Sequence, residues 1–155
     1  MGRKMDKIQK LTINCIVLIS FSSAIFTDEL KDIIDSKKSS FEEIALDIWN
    51  YAELGYLETK SSNLLASELE ENGFIIQKGV AGIPTSFIAE FNNGGPVIGI
   101  LGEFDALPGL AQTNSPFKEV ADNETGAGHA CGHHLFGAAS AWAAVVIKEW
   151  IEENN

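Results

Sequence analysis

Basic residues are scarce in this chain of 155 residues: 11 Lys and Arg stand against 22 Asp and Glu, a formal charge of −11 at pH 7. Polyphosphate binding needs clustered Lys and Arg, so no nucleic-acid partner is expected. No internal repeat or low-complexity tract is present, and no uninterrupted apolar run reaches the ~20 residues of a membrane span. The longest stretch, Leu11 to about Phe21, is broken by Asn14. Cysteine is limited to Cys15 and Cys131, and histidine to three residues. What is abundant is ordinary globular material, 45% hydrophobic and 21% charged, enough for one domain with a core.

Residues 1–24 read as a separate object. Arg3, Lys4, Lys7 and Lys10 precede the apolar stretch, and Ser22-Ser23-Ala24 places small residues at a cleavage position. That is the layout of a secretory signal peptide, with an uncleaved anchor as the alternative. The expected plan is therefore a leader over 1–24 and one domain over 25–155, exported to a periplasmic or extracellular location with no stable membrane span after processing. Cleavage would remove Cys15, and a lone Cys131 cannot close an internal disulfide.

Along the rest of the chain, Ser40 and Glu43 have capping-box spacing. Phe41, Ile44, Ala45, Ile48, Trp49 and Ala52 then share a helical face that Gly55 closes. A second helix is predicted from about Lys60 to Glu71, with Leu64, Leu65 and Leu69 inward and Asn72-Gly73 as its stop. Phe74 to Val80 is a short apolar segment, and Pro84 to Phe91 alternates as a strand does. Pro96 to Leu101 is a continuous apolar run, predicted to be a strand covered on both faces. A loop of about twenty residues follows from Gly109 to Gly128, a length usually kept for function. A last helix is predicted from His133, with Leu135, Ala138, Ala139, Trp142, Val145, Val146 and Trp150 on its packing face. Helices, then strands, then a helix indicate an α/β domain.

All three histidines and Cys131 fall within residues 129–134. Thiolate and imidazole are ligands that a borderline-soft ion such as zinc prefers. Gly132 between Cys131 and His133 lets the backbone turn sharply enough to aim both side chains at one point. Two other readings of these residues stand beside metal ligation: a thiol nucleophile with a nearby His, or a small buried cysteine among ordinary polar loop residues. Glu103 and Asp105, just past the apolar run, lie where α/β sheets place ligand sites. A carboxylate there binds metal or holds a ligating His in its tautomer; otherwise the two form an acidic turn before Pro108.

Ile-Leu-Gly-Glu-Phe-Asp-Ala-Leu-Pro-Gly-Leu (100–110), with Gly-His-Ala-Cys-Gly-His-His-Leu (128–135), resembles the zinc-dependent aminoacylase and carboxypeptidase-like metallopeptidase family, in its hippurate and auxin-conjugate amidohydrolase branch. Residues 49–59 and 79–87 are similar to the same branch, so the resemblance covers roughly 41–150. It implies the first part of a layered α/β/α catalytic domain of the zinc aminopeptidase/phosphorylase-like type. It further implies a divalent metal, zinc or else manganese or cobalt, and hydrolysis of an N-acyl amino acid amide of the aminobenzoyl-glutamate kind. Cys131 and His133 match the family's metal-ligand pair, and Asp105 a supporting carboxylate of its metal centre. Glu103 falls where more distant relatives carry a ligating His, and His134 where the branch has Asp; His129 matches no assigned role. The same resemblance places the general base, further ligands and an inserted dimerisation domain downstream of residue 155, and implies a homodimer or hetero-oligomer for the full-length form. A truncated, catalytically inactive exported fragment is the competing expectation, and a thiol hydrolase using Cys131 a third.

Overall fold

The computed structural model describes residues 7–154, with side chains from residue 29 onward. The predicted leader begins outside the described residues, and its side chains lie outside them throughout. Among the described residues no helix is long and apolar enough to cross a membrane. The chain divides into two units, residues 1–36 and 37–155. In the first, the described part is helical, and the Ser36 hydroxyl donates to the Ile33 carbonyl at 2.7 Å. The second unit holds the helical core, the hairpin and the candidate site.

Helix α1 spans Lys7–Tyr51. The capping box predicted at Ser40 and Glu43 is therefore not used. No Gly or Pro occurs between residues 7 and 51, so nothing stops the helix from extending through both residues. It ends earlier than Gly55, where Ala52 turns to φ 42° after donating to the Ile48 carbonyl at 3.1 Å. Helix α2 (Thr59–Glu71) follows, then β1 (Ile75–Lys78) pairs antiparallel with β2 (Phe87–Glu90), Ile75 opposite Glu90. Two-residue strands β3 (Leu107–Pro108) and β4 (Ala127–Gly128) pair across the ends of the long loop, and α3 runs His133–Glu153. The class is mixed α/β, with small antiparallel sheets.

The core lies among the three helices and the β1–β2 hairpin. Phe41, Ile44, Ala45 and Ile48 of α1 meet Leu65 and Leu69 of α2 and Ala138, Ala141 and Val145 of α3, with Phe87, Ala89 and Phe91 packed alongside. Helical period had marked most of these faces. On α3 the buried stripe is His134, Gly137, Ala138, Ala141, Val145 and Val146, so the predicted Leu135 instead faces solvent, 58% exposed. Pro96 to Leu101 also departs from expectation: no strand forms there, and Val97 is 99% exposed. Among the described residues β2 pairs with β1, and no strand lies beside 96–101 to take its backbone hydrogen bonds. Ile48 is fully buried at the centre of the helical core. Ile48→Ala should lower unfolding free energy by about 2–5 kcal/mol, read as a shift of the urea midpoint; a shift near zero would place Ile48 outside the core.

Candidate metal centre

The segment after the apolar run is brought to the site by the end of α1. Ala106 N–H donates to the Glu53 carbonyl at 2.7 Å, and Leu54 and Ala106 form a parallel bridge. Asp105, one residue earlier, thereby stands beside the start of α3. There Gly132 takes φ 77°, a left-handed conformation costly for any residue with a Cβ, and the chain turns directly into the helix at His133. Gly132 N–H donates to His129 O at 3.0 Å, and its carbonyl accepts from Leu135 and Phe136.

The two segments place three side chains together. His133 Nδ1 lies 2.8 Å from Asp105 Oδ1, and His133 Nε2 lies 3.2 Å from Glu103 Oε2. One ligand-capable atom from each of Glu103, Asp105 and His133 falls within 4.8 Å of the others. An ionised carboxylate only accepts, so the ring donates from Nδ1 and is held in that tautomer. A neutral ring then presents the Nε2 lone pair to Glu103, and two facing acceptors repel unless a proton or a cation joins them. Tetrahedral N and O ligands at about 2.0–2.1 Å from one zinc ion would stand about 3.3 Å apart. The 3.2 Å separation of Nε2 and Oε2 fits that arrangement.

Of the residues singled out in the sequence, Asp105 and His133 are in contact, and Glu103 joins them. Cys131 is a free, exposed thiol outside this group. Both ring nitrogens of His133 face carboxylates, so that ring is not paired with the thiol. The other two histidines are buried. His129, 4% exposed, donates from Nε2 to the Ile48 carbonyl at 3.0 Å. His134, 9% exposed, packs edge-on against Trp49 with ring centroids 5.0 Å apart, and lies 5.0 Å from the His129 ring. His129 thereby ties the turn before α3 to α1, and His134 packs from α3 onto Trp49.

Burial lowers the pKa of His129, partly offset by the Ile48 carbonyl, and burial together with His129 lowers that of His134 to about 4. Both rings are therefore neutral in the fold at pH values where the unfolded chain takes up protons. Their contribution is complete above the ordinary value of 6.5 and is lost as pH falls below it, for His134 through about 4. The urea midpoint should drop between pH 7.5 and pH 5, and His134→Leu should reduce that drop. An unchanged pH dependence in the variant would refute the assignment.

Glu53 was missed by sequence reasoning. Its carboxylate accepts from Lys60 N–H (3.0 Å), Ser61 N–H (2.9 Å) and the Ser61 hydroxyl (2.9 Å). No sequence signal marks it: the helix is predicted from about Lys60, with Thr59 available as a cap, whereas it starts at Thr59 after Glu58, which makes no cap.

No protein-family model matches the chain. Among curated proteins it is 40% identical over 124 residues to a p-aminobenzoyl-glutamate hydrolase subunit of Escherichia coli, covering 80% of this chain and 26% of that protein. It is 34% identical over 105 residues to N-acetylcysteine deacetylase of Bacillus subtilis, covering 66% of this chain and 27% of that protein. It is also 31% identical over 104 residues to hippurate hydrolase of Campylobacter jejuni, covering 67% and 26% respectively. The chain spans about a quarter of the length of the curated relatives it matches.

Proposed function

The chain belongs to the aminoacylase and carboxypeptidase-like amidohydrolase family, and on that premise we propose that it builds part of the metal centre of an amide-bond hydrolase. The observation that carries this is the His133 ring held by Asp105 at one nitrogen and facing Glu103 with the other. His133 Nε2 and Glu103 Oε2 would hold the ion, with Asp105 fixing the ring. Cys131, two residues before His133, is the further ligand proposed from the sequence. Zinc suits this nitrogen, oxygen and sulfur donor set.

A divalent ion so held supplies Lewis-acid polarisation of an amide carbonyl and an acidified water. This chain's part is to keep one imidazole lone pair aimed at the ion. Asp105 accepts the hydrogen bond from Nδ1–H and prevents the ring's rotation. The substrate class proposed is an acyl group joined by an amide to an amino acid, of the aminobenzoyl-glutamate type, and an oligomeric assembly is proposed with it. These rest on the relatives named above. Export through residues 1–24 is likewise a proposal, supported by the basic and apolar pattern of that segment; intact-mass measurement of protein recovered outside the cytoplasm should show a mature N-terminus near residue 25.

Cobalt(II) titration tests the ligand set. Uptake of one ion with a thiolate-to-cobalt charge-transfer band is expected, and Cys131→Ala should lose the band and bind more weakly. Uptake without the band would remove Cys131 from the set; no uptake at all would overturn the reading.

A further inference from the structure

The site rests on the placement of Asp105. Before it, Phe104 stacks on Phe87; after it, nothing bulky fixes the chain. Where the end of α1 meets the 105–107 segment, the buried residues are Ala52, Ala106 and Ala127, with Leu54 packed against them. Three alanines give little shape to resist a slip of one strand past the other. On this side the register comes from polar links, and these converge on one residue. Glu53 accepts the Ala106 N–H with its backbone carbonyl, and its carboxylate takes three hydrogen bonds from Lys60 and Ser61 at the start of α2.

That carboxylate is well held. The first N–H groups of a helix have no partner within it, and the positive helix end favours a negative group. Glu58, which precedes the helix, makes no cap; its carboxylate instead accepts the Thr85 hydroxyl at 2.7 Å. Glu53 thus performs the capping from outside, fixed against Ser61, which is fully buried. The turn that follows wraps the site: a Cβ on Gly55 would lie 3.9 Å from both Asp105 Oδ2 and Glu58 Oε1.

We propose that Glu53 is a positioning residue for the metal centre, joining the N-terminus of α2 to Ala106 so that Asp105 stays in hydrogen-bond register with His133. It touches neither substrate nor ion. The role deepens the metal-centre reading, but its first test needs no metal.

In the metal-free chain, the His133 Nδ1–H that donates to Asp105 should give a slowly exchanging imidazole proton signal by nitrogen-15-edited NMR. Wild type should show it, and so should Leu69→Ala, which weakens the core without touching the link. Glu53→Ala should lose it. Glu53→Gln, which keeps one acceptor oxygen but turns an amide NH2 towards the helix donors, should retain a weakened signal; it carries the test if the alanine variant does not fold. A second arm is cobalt(II) alone, whose affinity should fall about 10–100-fold in Glu53→Ala. Persistence of the full signal in folded Glu53→Ala, or its absence from wild type, would overturn the inference. Failure of wild type to bind cobalt(II) would overturn the metal-centre reading and leave the proton signal to decide the role of Glu53.

Discussion

His133→Ala is expected to abolish divalent-metal binding by this chain, and Asp105→Ala to weaken it by about 10–100-fold, with the fold retained in both. The difference follows from what each side chain offers. His133 brings the sole nitrogen of the cluster formed with Glu103 and Asp105. Its loss removes the nitrogen donor and leaves Cys131 as the one soft donor beside hard carboxylate oxygens, too few to retain zinc. Asp105 acts through the ring, from 2.8 Å, so its removal frees His133 to rotate and to change tautomer without deleting a ligand. Asp105→Asn should fall between the two extremes of wild type and alanine, because the amide oxygen still accepts the Nδ1 proton. Calorimetric zinc titration checks the order. Equal affinity in Asp105→Ala and wild type would show that the ring is held by something else.

Gly137→Ala should destabilise the chain by about 1–3 kcal/mol and weaken metal binding with it. In an unencumbered helix the same change is favourable, because glycine costs about 0.5–1 kcal/mol relative to alanine. Here the sign reverses. A Cβ on Gly137 would stand 2.9 Å from the Glu103 carbonyl oxygen and 3.1 Å from Phe104 Cβ, so the segment carrying Glu103 and Asp105 must move away from α3. Little freedom exists for that movement: Phe104 stacks on Phe87 at 6.2 Å, and Ser140 donates to the Leu101 carbonyl at 2.7 Å. Urea unfolding and cobalt(II) titration on the same variant read both effects. A stabilised variant would mean that 101–104 does not pack on α3.

The helical faces of α1 and α2 were legible because burial repeats with the helical period, and Phe41, Ile44, Ile48, Leu65 and Leu69 all obey it. The limits of the elements were less so. Ser40 and Glu43 have the right spacing for a helix start, but a cap motif acts only where the preceding residues leave the helix, and here none does. Pro96 to Leu101 has strand composition, yet a strand exists only beside a partner, which composition does not reveal. Clustering of histidines drew attention to His133, which the structure places beside Asp105 and Glu103. It did not separate that ring from His129 and His134, whose neighbours Trp49 and the Ile48 carbonyl come from a helix some eighty residues away in sequence. Glu53 was invisible for the same reason: its partners lie seven and eight residues on and at Ala106, a pattern with no period.

The proposed metal centre requires that His133, held by Asp105, bind a divalent ion together with Glu103. Zinc stoichiometry after equilibrium dialysis against a weak competing chelator, measured on wild type and His133→Ala, tests this in one step. One zinc ion per chain in wild type and none in the variant is the predicted result. Equal zinc content in the two proteins, or none in wild type, would contradict it.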